Sequence, residues 1–207
     1  DSIIPVTCQE ALTLNAAQFA VNTNFYDSLG RPEGGFKIDS VYFQKDGTID
    51  DLGFLKIING KPFVGSSEYF KKIKGAVNYS SQALPWIIEN GTIHPKFDTI
   101  KKEHKRALRN VIGTKNGKLV CILSNNGAYL SIAEIAKIAR NFGLDQASCF
   151  DGGFPLQYEY DSKRFKTSFV GNNNTLSIGD DVENLILENV KSRVYQKSPV
   201  FLIVKGE

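Results

Sequence analysis

Short apolar runs, separated by residues that favour turns, make up much of the chain. The runs at 41–44, 54–58, 86–88 and 119–123 are rich in β-branched and aromatic residues, which favour strands. Dipeptides that supply the positive φ angles of type I′ hairpin turns occur among them, at Asp46-Gly47, Asn59-Gly60, Asn90-Gly91 and Asn116-Gly117. The pattern predicts a strand-rich protein with several hairpins.

Two segments begin with the spacing of a capping box, in which a hydroxyl and a carboxylate satisfy backbone N–H groups at a helix start. Thr7 and Glu10 predict a first helix that runs to about Phe19. Ser131 and Glu134 predict a second helix that ends at Gly143. One face of the second helix is apolar and carries Ile132, Ile135, Ala136, Ala139 and Phe142.

The remaining apolar runs complete the predicted fold. Strands are predicted at 19–21, 147–150, 185–187 and 200–204, and the polar stretch 162–181 is predicted to be an exposed loop. No internal repeat, low-complexity linker or composition break divides the 207 residues. We therefore predict one domain, residues 1–207, of the α+β class, with a strand-rich mixed sheet, several hairpins and two main helices.

Composition places the chain among globular proteins, with 42% hydrophobic and 23% charged residues. Its formal net charge of +3 is far from the concentrated positive charge that nucleic-acid binding usually needs, so no nucleic-acid partner is expected. No run of eighteen apolar residues occurs, so no transmembrane segment is predicted. The sequence begins at Asp1 and holds no methionine, and we expect that an export signal has been removed.

Cysteine and histidine spacing indicates neither a disulfide scaffold nor a metal site. Cys8, Cys121 and Cys149 form an odd set without C-x-x-C spacing, and His94 and His104 lack metal-ligand spacing. The sequence also lacks nucleotide-loop, zincin and serine-hydrolase motifs. We expect no bound metal or cofactor. A Cys-His nucleophile pair stays open, but cysteine in an apolar strand usually packs as a small hydrophobe.

An Asp-Gly-Gly turn after the predicted strand 147–150 is the first candidate for a site. Asp151 offers a carboxylate there, and the backbone N–H groups of Gly152 and Gly153 can bind an anion. The alternative is an ordinary Asx turn, in which the aspartate only shapes the backbone.

Four further polar residues are candidates, each with a structural alternative. Asn22 and Asn24 follow the predicted strand 19–21 and can bind sugar hydroxyls or phosphate oxygens, although turn formation is the simpler explanation. Arg109 lies at the entrance to a predicted strand, where its guanidinium can grip a phosphate, although surface placement is the default. Glu134 is a second candidate acid, although its position favours the helix cap.

Four blocks of the sequence, taken in order, resemble the phosphodiester glycosidase family. They are the polar and aromatic run from 20 to Gly35, the proline, strand and Asn-Gly at 83–91, the Arg-Asn-Val-Ile-Gly at 109–113, and the helix, strand and Asp-Gly-Gly at 131–153. The resemblance spans about residues 19–157. The chain departs from the family at Asn110, which replaces a threonine, and at Phe154 and Pro155, where many members carry a third glycine and a serine.

The resemblance implies hydrolysis of the glycosidic C–O bond between the anomeric carbon of a sugar and phosphate, so the expected partner is a carbohydrate or sugar-phosphate substrate. It implies that Asp151 is the catalytic carboxylate, as nucleophile or as base, with Arg109 and Asn22 as further catalytic residues. The substrate-binding residues that it implies are Asn24, Gly152, Gly153, Asn110 and Glu134.

Two other functions stay open at this point. One is a phosphodiesterase that breaks the P–O bond instead of the C–O bond. The other is a non-catalytic carbohydrate-binding protein of the cell envelope, which the departure at Phe154 and Pro155 favours. Bacterial members of the phosphodiester glycosidase family include exported proteins of exopolysaccharide type. The resemblance therefore also implies a periplasmic or secreted location.

Overall fold

The computed structural model describes residues 6–27, 29, 31–39, 41–44, 52–98, 105–125, 127–153, 155–171, 176–178, 185–187, 198 and 201–205. The helices within these ranges are α1 (Cys8–Leu14), α2 (Ser67–Lys71), α3 (Pro95–Asp98) and α4 (Ile132–Asn141). The first strands are β1 (Phe19–Asn22), β2 (Phe25–Tyr26), β3 (Pro32–Glu33), β4 (Phe36–Ile38), β5 (Val41–Gln44), β6 (Gly53–Ile58), β7 (Lys61–Ser66), β8 (Val77–Ala83), β9 (Trp86–Glu89) and β10 (Thr92–Ile93). The others are β11 (Lys105–Arg106), β12 (Asn110–Lys115), β13 (Lys118–Leu123), β14 (Gln146–Phe150), β15 (Gln157–Asp161), β16 (Lys166–Val170), β17 (Leu176–Ile178), β18 (Leu185–Leu187) and β19 (Phe201–Val204).

The described strands form several antiparallel sheets. Two have five strands, in the orders β10-β9-β14-β12-β13 and β5-β4-β8-β6-β7, and one has four, in the order β16-β15-β1-β19. Strands β11, β17 and β18 form a small sheet, and β2 pairs with β3. The strand-rich α+β character is thus supported, but the expected single mixed sheet is wrong. Tight turns reverse the chain between sequence neighbours, which makes their pairing antiparallel.

Three of the four predicted hairpin turns are confirmed. Asn59 and Gly60 have φ angles of 50° and 75°, and the Asn-Gly pairs at 90–91 and 116–117 have nearly the same values. These turns join β6 to β7, β9 to β10 and β12 to β13. The positive φ at both central residues matches the twist of the strands that they connect. The fourth predicted turn, Asp46-Gly47, lies outside the described residues.

Both predicted capping boxes are present, but α1 is shorter than expected. Thr7 accepts a hydrogen bond from the Glu10 N–H and α1 ends at Leu14, not near Phe19. Ala16 then has a φ of 47°, and Phe19 is the first residue of β1, which is paired on both sides by β15 and β19. The backbone N–H and C=O groups of 19–22 therefore serve a sheet instead of a helix. Within the described ranges no helix has the length and apolar character that crossing a membrane requires.

Helix α4 follows its prediction except at its last apolar position. Ile135, Ala136 and Ala139 are buried and Ser131 caps the helix together with Glu134, but the side chain of Phe142 is 59% exposed. Phe142 is the C-cap residue, where the chain leaves the helix, so the helical face no longer determines the direction of its side chain.

The stretch 162–181 is not the exposed loop that its polarity predicts. It contains β16, which pairs with β15, and β17, which pairs with β18. Phe169 on β16 stacks on Tyr158 of β15 at 5.3 Å between ring centroids, and Phe169 is buried. A few apolar residues on one face are enough to hold an edge strand, even where its other face is polar.

The sheet that contains β14 forms the centre of the protein. On one face, Val111, Ala147 and Cys149 pack with α4 in one hydrophobic cluster. On the other face, Ile112 and Phe150 pack in a second cluster that includes residues of β1, β6 and β7. Successive residues of a strand point to opposite faces, so β12 and β14 are buried on both sides. The ends of β12 and β14 are therefore packed between the two hydrophobic clusters.

Candidate active site

The antiparallel pairing of β12 with β14 places two predicted site residues, Asn110 and Asp151, together. Asn110, the first residue of β12, lies opposite Phe150, the last residue of β14. Asp151 follows Phe150 directly, so it leaves the sheet beside the start of β12. The carboxyl end of β1 meets the same point, because the Asp151 N–H donates to the carbonyl of Thr23 at 3.1 Å.

Two buried asparagine side chains hold the backbone of Asp151. The amide of Asn22 donates to the Asp151 carbonyl at 3.0 Å, and its Oδ1 accepts from the Gln157 N–H at 3.0 Å. The amide of Asn110 donates to the Asn22 carbonyl at 2.7 Å and to the Asp151 carbonyl at 3.3 Å. Both asparagines are fully buried. They therefore fix the backbone that carries the carboxyl group rather than facing solvent.

The side-chain oxygen of Asn110, Oδ1, is in an unusual environment. Its Oδ1 is buried and has no hydrogen-bond partner among the described residues. A buried carbonyl oxygen without a donor costs roughly 1–3 kcal/mol, so structural needs alone do not explain this amide well. The departure from the family's threonine thus leaves an open hydrogen-bond acceptor beside Asp151.

Asn24 connects the site to the β2–β3 hairpin. It is fully buried, its Oδ1 accepts from the hydroxyl of Ser81, and its Nδ2 donates to the carbonyl of Glu33 at 3.3 Å. In the hairpin, Phe25 lies opposite Glu33 and Tyr26 lies opposite Pro32. The side chain of Asn24 therefore supports the hairpin in this structure, while its predicted role in substrate binding stays a prediction.

The carboxyl group of Asp151 is nearly excluded from water. Asp151 is 8% exposed, and its burial, together with the negative charge of Glu33, raises its pKa to about 8. Burial acts in this direction because a low-dielectric surrounding disfavours the charged form. At neutral pH the neutral carboxylic acid is the main species, which can donate a proton.

Tyr26 and Glu33 join Asp151 in a group that sequence analysis did not assign. Burial, and then the charge of Asp151, raise the pKa of Tyr26 to about 12, so its hydroxyl stays protonated at neutral pH. Tyr26 lies in the polar and aromatic run of the first family block, but Glu33 sits between Pro32 and Gly34 and looks like part of a turn. The pairing of β2 with β3 places Glu33 opposite Phe25, and the charge of Glu33 is one of the causes of the raised pKa of Asp151.

Different structural constraints favour glycine at the two positions after Asp151. A Cβ atom on Gly152 would lie 2.6 Å from the Leu108 carbonyl oxygen and 3.4 Å from the Arg109 Cα. Gly153 has a φ of 64°, which favours glycine, and its N–H donates to that same Leu108 carbonyl at 2.9 Å. Phosphate binding by the Gly153 amide would require this hydrogen bond to be exchanged.

Arg109 borders the turn through its backbone and forms hydrogen bonds with Ser124 and Leu130. Its N–H donates to the Ser124 hydroxyl at 2.8 Å, and its Nε donates to the Leu130 carbonyl at 2.7 Å. The residue is half-buried and directly precedes β12, as predicted. The Nε bond orients the guanidinium plane, which bidentate phosphate recognition needs.

Glu134 occupies the helix-cap position that was its structural alternative. Its Oε2 accepts from the Ser131 N–H at 2.9 Å and from the Arg106 Nε at 3.0 Å, and its Oε1 accepts from the Arg106 Nη2 at 2.5 Å. Burial alone would raise the pKa of Glu134, but the Ser131 amide and Arg106 bring it below its ordinary value. Both carboxylate oxygens thus serve α4 and this ion pair. A role for Glu134 in substrate binding stays a prediction.

Residues of the kinds that hold metals are scattered. Among the described residues, no group of three or more His, Cys, Asp or Glu side chains is arranged to hold a metal ion. Cys8, Cys121 and Cys149 form no disulfide bond; Cys8 and Cys149 are buried, and burial raises the pKa of Cys121 to about 12. The Asp151 turn, supported by Asn22 and Asn110, is therefore the candidate site.

The fold and the site define an α+β protein with a buried carboxyl group directly after a central strand. The phosphodiester glycosidase family matches residues 15–187 of the sequence. This covers most of the chain, so the protein belongs to the phosphodiester glycosidase family. No curated protein sequence shows a significant match.

Two solved structures are similar in fold. One is the catalytic domain of zebrafish N-acetylglucosamine-1-phosphodiester alpha-N-acetylglucosaminidase, auto-inhibited by its pro-peptide, with a TM-score of 0.71 and 14% sequence identity over 99% of this chain and 68% of that one. The other is a hypothetical protein from Synechocystis, with a TM-score of 0.48 and 12% identity over 75% of this chain and 49% of that one. At such identities the zebrafish structure supports the fold alone.

Proposed function

We propose that this protein hydrolyses the glycosidic C–O bond of a sugar 1-phosphodiester. The observation that carries the proposal is the Asp151 carboxyl group, buried and neutral at pH 7, in a chain of the phosphodiester glycosidase family. Cleavage of this bond separates a sugar from a phosphate monoester, and negative charge develops on the phosphate oxygen that leaves. A neutral carboxylic acid can meet this charge, whereas a carboxylate would repel it.

In this proposal Asp151 acts first as a proton donor. The bond between the anomeric carbon and the phosphate oxygen breaks, the Asp151 proton moves to that oxygen, and the oxygen of a water molecule bonds to the anomeric carbon. The attached water then releases one of its two protons to the solvent and keeps the other as the sugar hydroxyl, and Asp151 regains a proton from the solvent. The sequence-based expectation was a nucleophile or base, but the raised pKa of Asp151 favours the acid role at neutral pH.

The remaining residues divide into those that hold Asp151 and those that meet the substrate. Asn22 and Asn110 hold the Asp151 carbonyl. Arg109 and the backbone of Gly152 lie next to each other and are suited to bind the phosphate. These roles are part of the proposal.

Hydrolysis of a panel of sugar 1-phosphodiesters in ¹⁸O-labelled water tests the proposal. The panel includes the N-acetylglucosamine diester, the sugar in the name of the zebrafish relative. We expect the label in the released sugar, and we expect Asp151→Asn to lower kcat at least about 100-fold while the protein keeps its circular dichroism spectrum. Parallel reactions with a chelator show whether turnover needs a metal.

Other results would contradict the proposal in recognisable ways. Label in the phosphate indicates a phosphodiesterase that breaks the P–O bond. Glycan binding without turnover of any diester indicates a carbohydrate-binding protein. Unchanged hydrolysis by Asp151→Asn removes Asp151 from the mechanism. Export to the periplasm or the medium also remains a proposal, which fractionation of the producing cells tests.

A further inference from the structure

Four polar side chains meet next to the segment that supports the Asp151 turn. The hydroxyl of Tyr79 lies 3.3 Å from that of Thr23, and the hydroxyl of Ser81 donates to the Oδ1 of Asn24. Tyr79 and Ser81 are two positions apart on β8, so their side chains lie on the same face of that strand. One face of β8 thus contacts two consecutive residues that follow β1.

This contact is connected to Asp151 through the main chain. The carbonyl of Thr23 accepts from the Asp151 N–H at 3.1 Å. The side chain of the preceding residue, Asn22, donates to the Asp151 carbonyl at 3.0 Å. Both backbone polar groups of Asp151 are therefore bonded to two neighbouring residues, and the position of its backbone depends on what holds these residues in place.

The polar side chains lie in surroundings that are otherwise apolar. Thr23, Asn24 and Ser81 are fully buried, and Tyr79 packs against the hydrophobic cluster that contains Phe150. A buried hydroxyl pair contributes little net stability, because both hydroxyls give up hydrogen bonds to water, and its replacement by apolar groups of the same shape is nearly neutral. A satisfied polar pair does, however, fix one arrangement of the segments that carry it.

We propose that the hydroxyl pair of Thr23 and Tyr79 positions Asp151, by fixing the Thr23 carbonyl that binds the Asp151 N–H, so that the carboxyl group meets the departing phosphate oxygen. The inference rests on the proposed function. Thr23 and Tyr79 are positioning residues, because they act through the backbone of Asp151 and no contact with substrate is assigned to them. The pair joins the end of β1 to β8, which belong to different sheets.

The first test measures the Asp151 turn without any substrate. Tyr79→Phe removes only a hydroxyl, and NMR follows deuterium exchange of the Asp151 amide at one pH and temperature. We expect this exchange to become at least about threefold faster relative to that of the Ile135 amide of α4, which is bonded to the Ser131 carbonyl. Tyr42→Phe, the same change at an exposed tyrosine of the same sheet, is the matched control and leaves the ratio unchanged.

The second test uses turnover of a sugar 1-phosphodiester. We expect Tyr79→Phe and Thr23→Val each to lower kcat about 10-fold and to change KM less than about threefold, because Asp151 is displaced while the substrate still binds. The double variant should lose little more than either single variant, because both changes remove the same contact. Thr23→Ser, which keeps the hydroxyl, should retain most of kcat.

The results separate the inference from the proposed function. An unchanged exchange ratio in Tyr79→Phe overturns the inference whatever the activity. Exchange that rises equally at both amides shows a general loss of stability and also overturns it. A raised ratio with unchanged kcat overturns the role of the hydroxyl pair in catalysis. A raised ratio in a protein that hydrolyses no diester supports the positioning of the turn and defeats the proposed function.

Discussion

Asp151 is the residue whose surroundings decide its chemistry. In an exposed turn it would be ionised at neutral pH, but burial and the charge of Glu33 raise its pKa to about 8. Burial of such a group has a thermodynamic cost, because the unfolded chain would release its proton. Residues that hold a group in an unfavourable position are expected at functional sites.

This cost predicts how stability changes with pH. Between about pH 4 and 8 the unfolded chain has lost the Asp151 proton while the folded protein keeps it, so stability falls as the pH rises, by up to about 1.4 kcal/mol per pH unit. Asp151→Asn removes this dependence, and its unfolding free energy relative to the natural protein should increase from pH 4.5 to pH 7.5. Urea unfolding at the two pH values measures it. A constant difference would mean that Asp151 titrates normally.

Asn22 is expected to be a residue of structure as much as of function. Replacement by alanine leaves the buried Gln157 N–H without its acceptor and removes one donor to the Asp151 carbonyl. We expect Asn22→Ala to lower the unfolding free energy by about 2 kcal/mol or more in urea unfolding. Asn78→Ala, on the exposed side of β8, is the control and should stay within about 0.5 kcal/mol of the natural protein. Equal stability of both variants would show that the Asn22 hydrogen bonds are replaceable.

At the scale of elements, the turn after β14 is shaped by two different constraints on adjacent glycines. Gly152 needs the absence of a Cβ because the Leu108 carbonyl lies close, and Gly153 needs a positive φ. The same Leu108 carbonyl accepts from the Gly153 N–H, so movement of one contact disturbs the other. The Asp-Gly-Gly turn is therefore packed against the segment before β12.

Alanine at each glycine separates the two constraints. Gly153→Ala meets no atom within 4 Å, so it should cost only the conformational term, about 1–2 kcal/mol. Gly152→Ala forces backbone to move and should cost at least as much, about 1–3 kcal/mol, and it should also lower kcat/KM more strongly because Asp151 is displaced. Thermal unfolding and steady-state rates measure these effects. A Gly152→Ala variant as active as Gly153→Ala would contradict the close packing of this turn.

At the scale of the whole molecule, apolar layers rather than covalent cross-links hold the fold. The central sheet is covered by α4 on one face and by residues of β1, β6 and β7 on the other. Cys149 and Cys121 pack in or against these layers, Cys8 packs in a separate cluster with residues of α1 and β1, and none of the three forms a disulfide bond. Stability should therefore not depend on the redox state of the surroundings.

Urea unfolding with a reductant, together with a thiol assay, tests this expectation. A reductant should leave the midpoint of urea unfolding unchanged, and an aromatic disulfide reagent at pH 7.5 should react slowly with the folded protein. The reasons are that Cys8 and Cys149 are buried and that the pKa of Cys121 is about 12, which leaves little thiolate. In denaturant, three thiols should react, which is the control for the count. A fall in the midpoint with reductant would reveal a cross-link.

Much of the local structure could be predicted because it depends on neighbours in sequence. The Asn-Gly turns require positive φ angles that few residues adopt, and the capping boxes of α1 and α4 join residues three positions apart. The strand β14, which Asp151 follows directly, is buried along its whole length and ends in the short run 147–150. The sequence predicts the candidate site because its central residue, Asp151, directly follows this strand.

The tertiary structure alone decided what those residues do there. Helix α1 ends at Leu14, and the backbone of β1 pairs with β15 and β19 instead of continuing the helix. These partner strands are distant in sequence, so the residues around α1 do not reveal them. The amide of Asn22 donates to the carbonyl of Asp151, 129 positions away. The sequence shows that residue 22 is an asparagine, but it does not show this contact. The neutral state of Asp151 arises from burial and from Glu33, because the field at a carboxyl group is set by distance in space and not by distance along the chain.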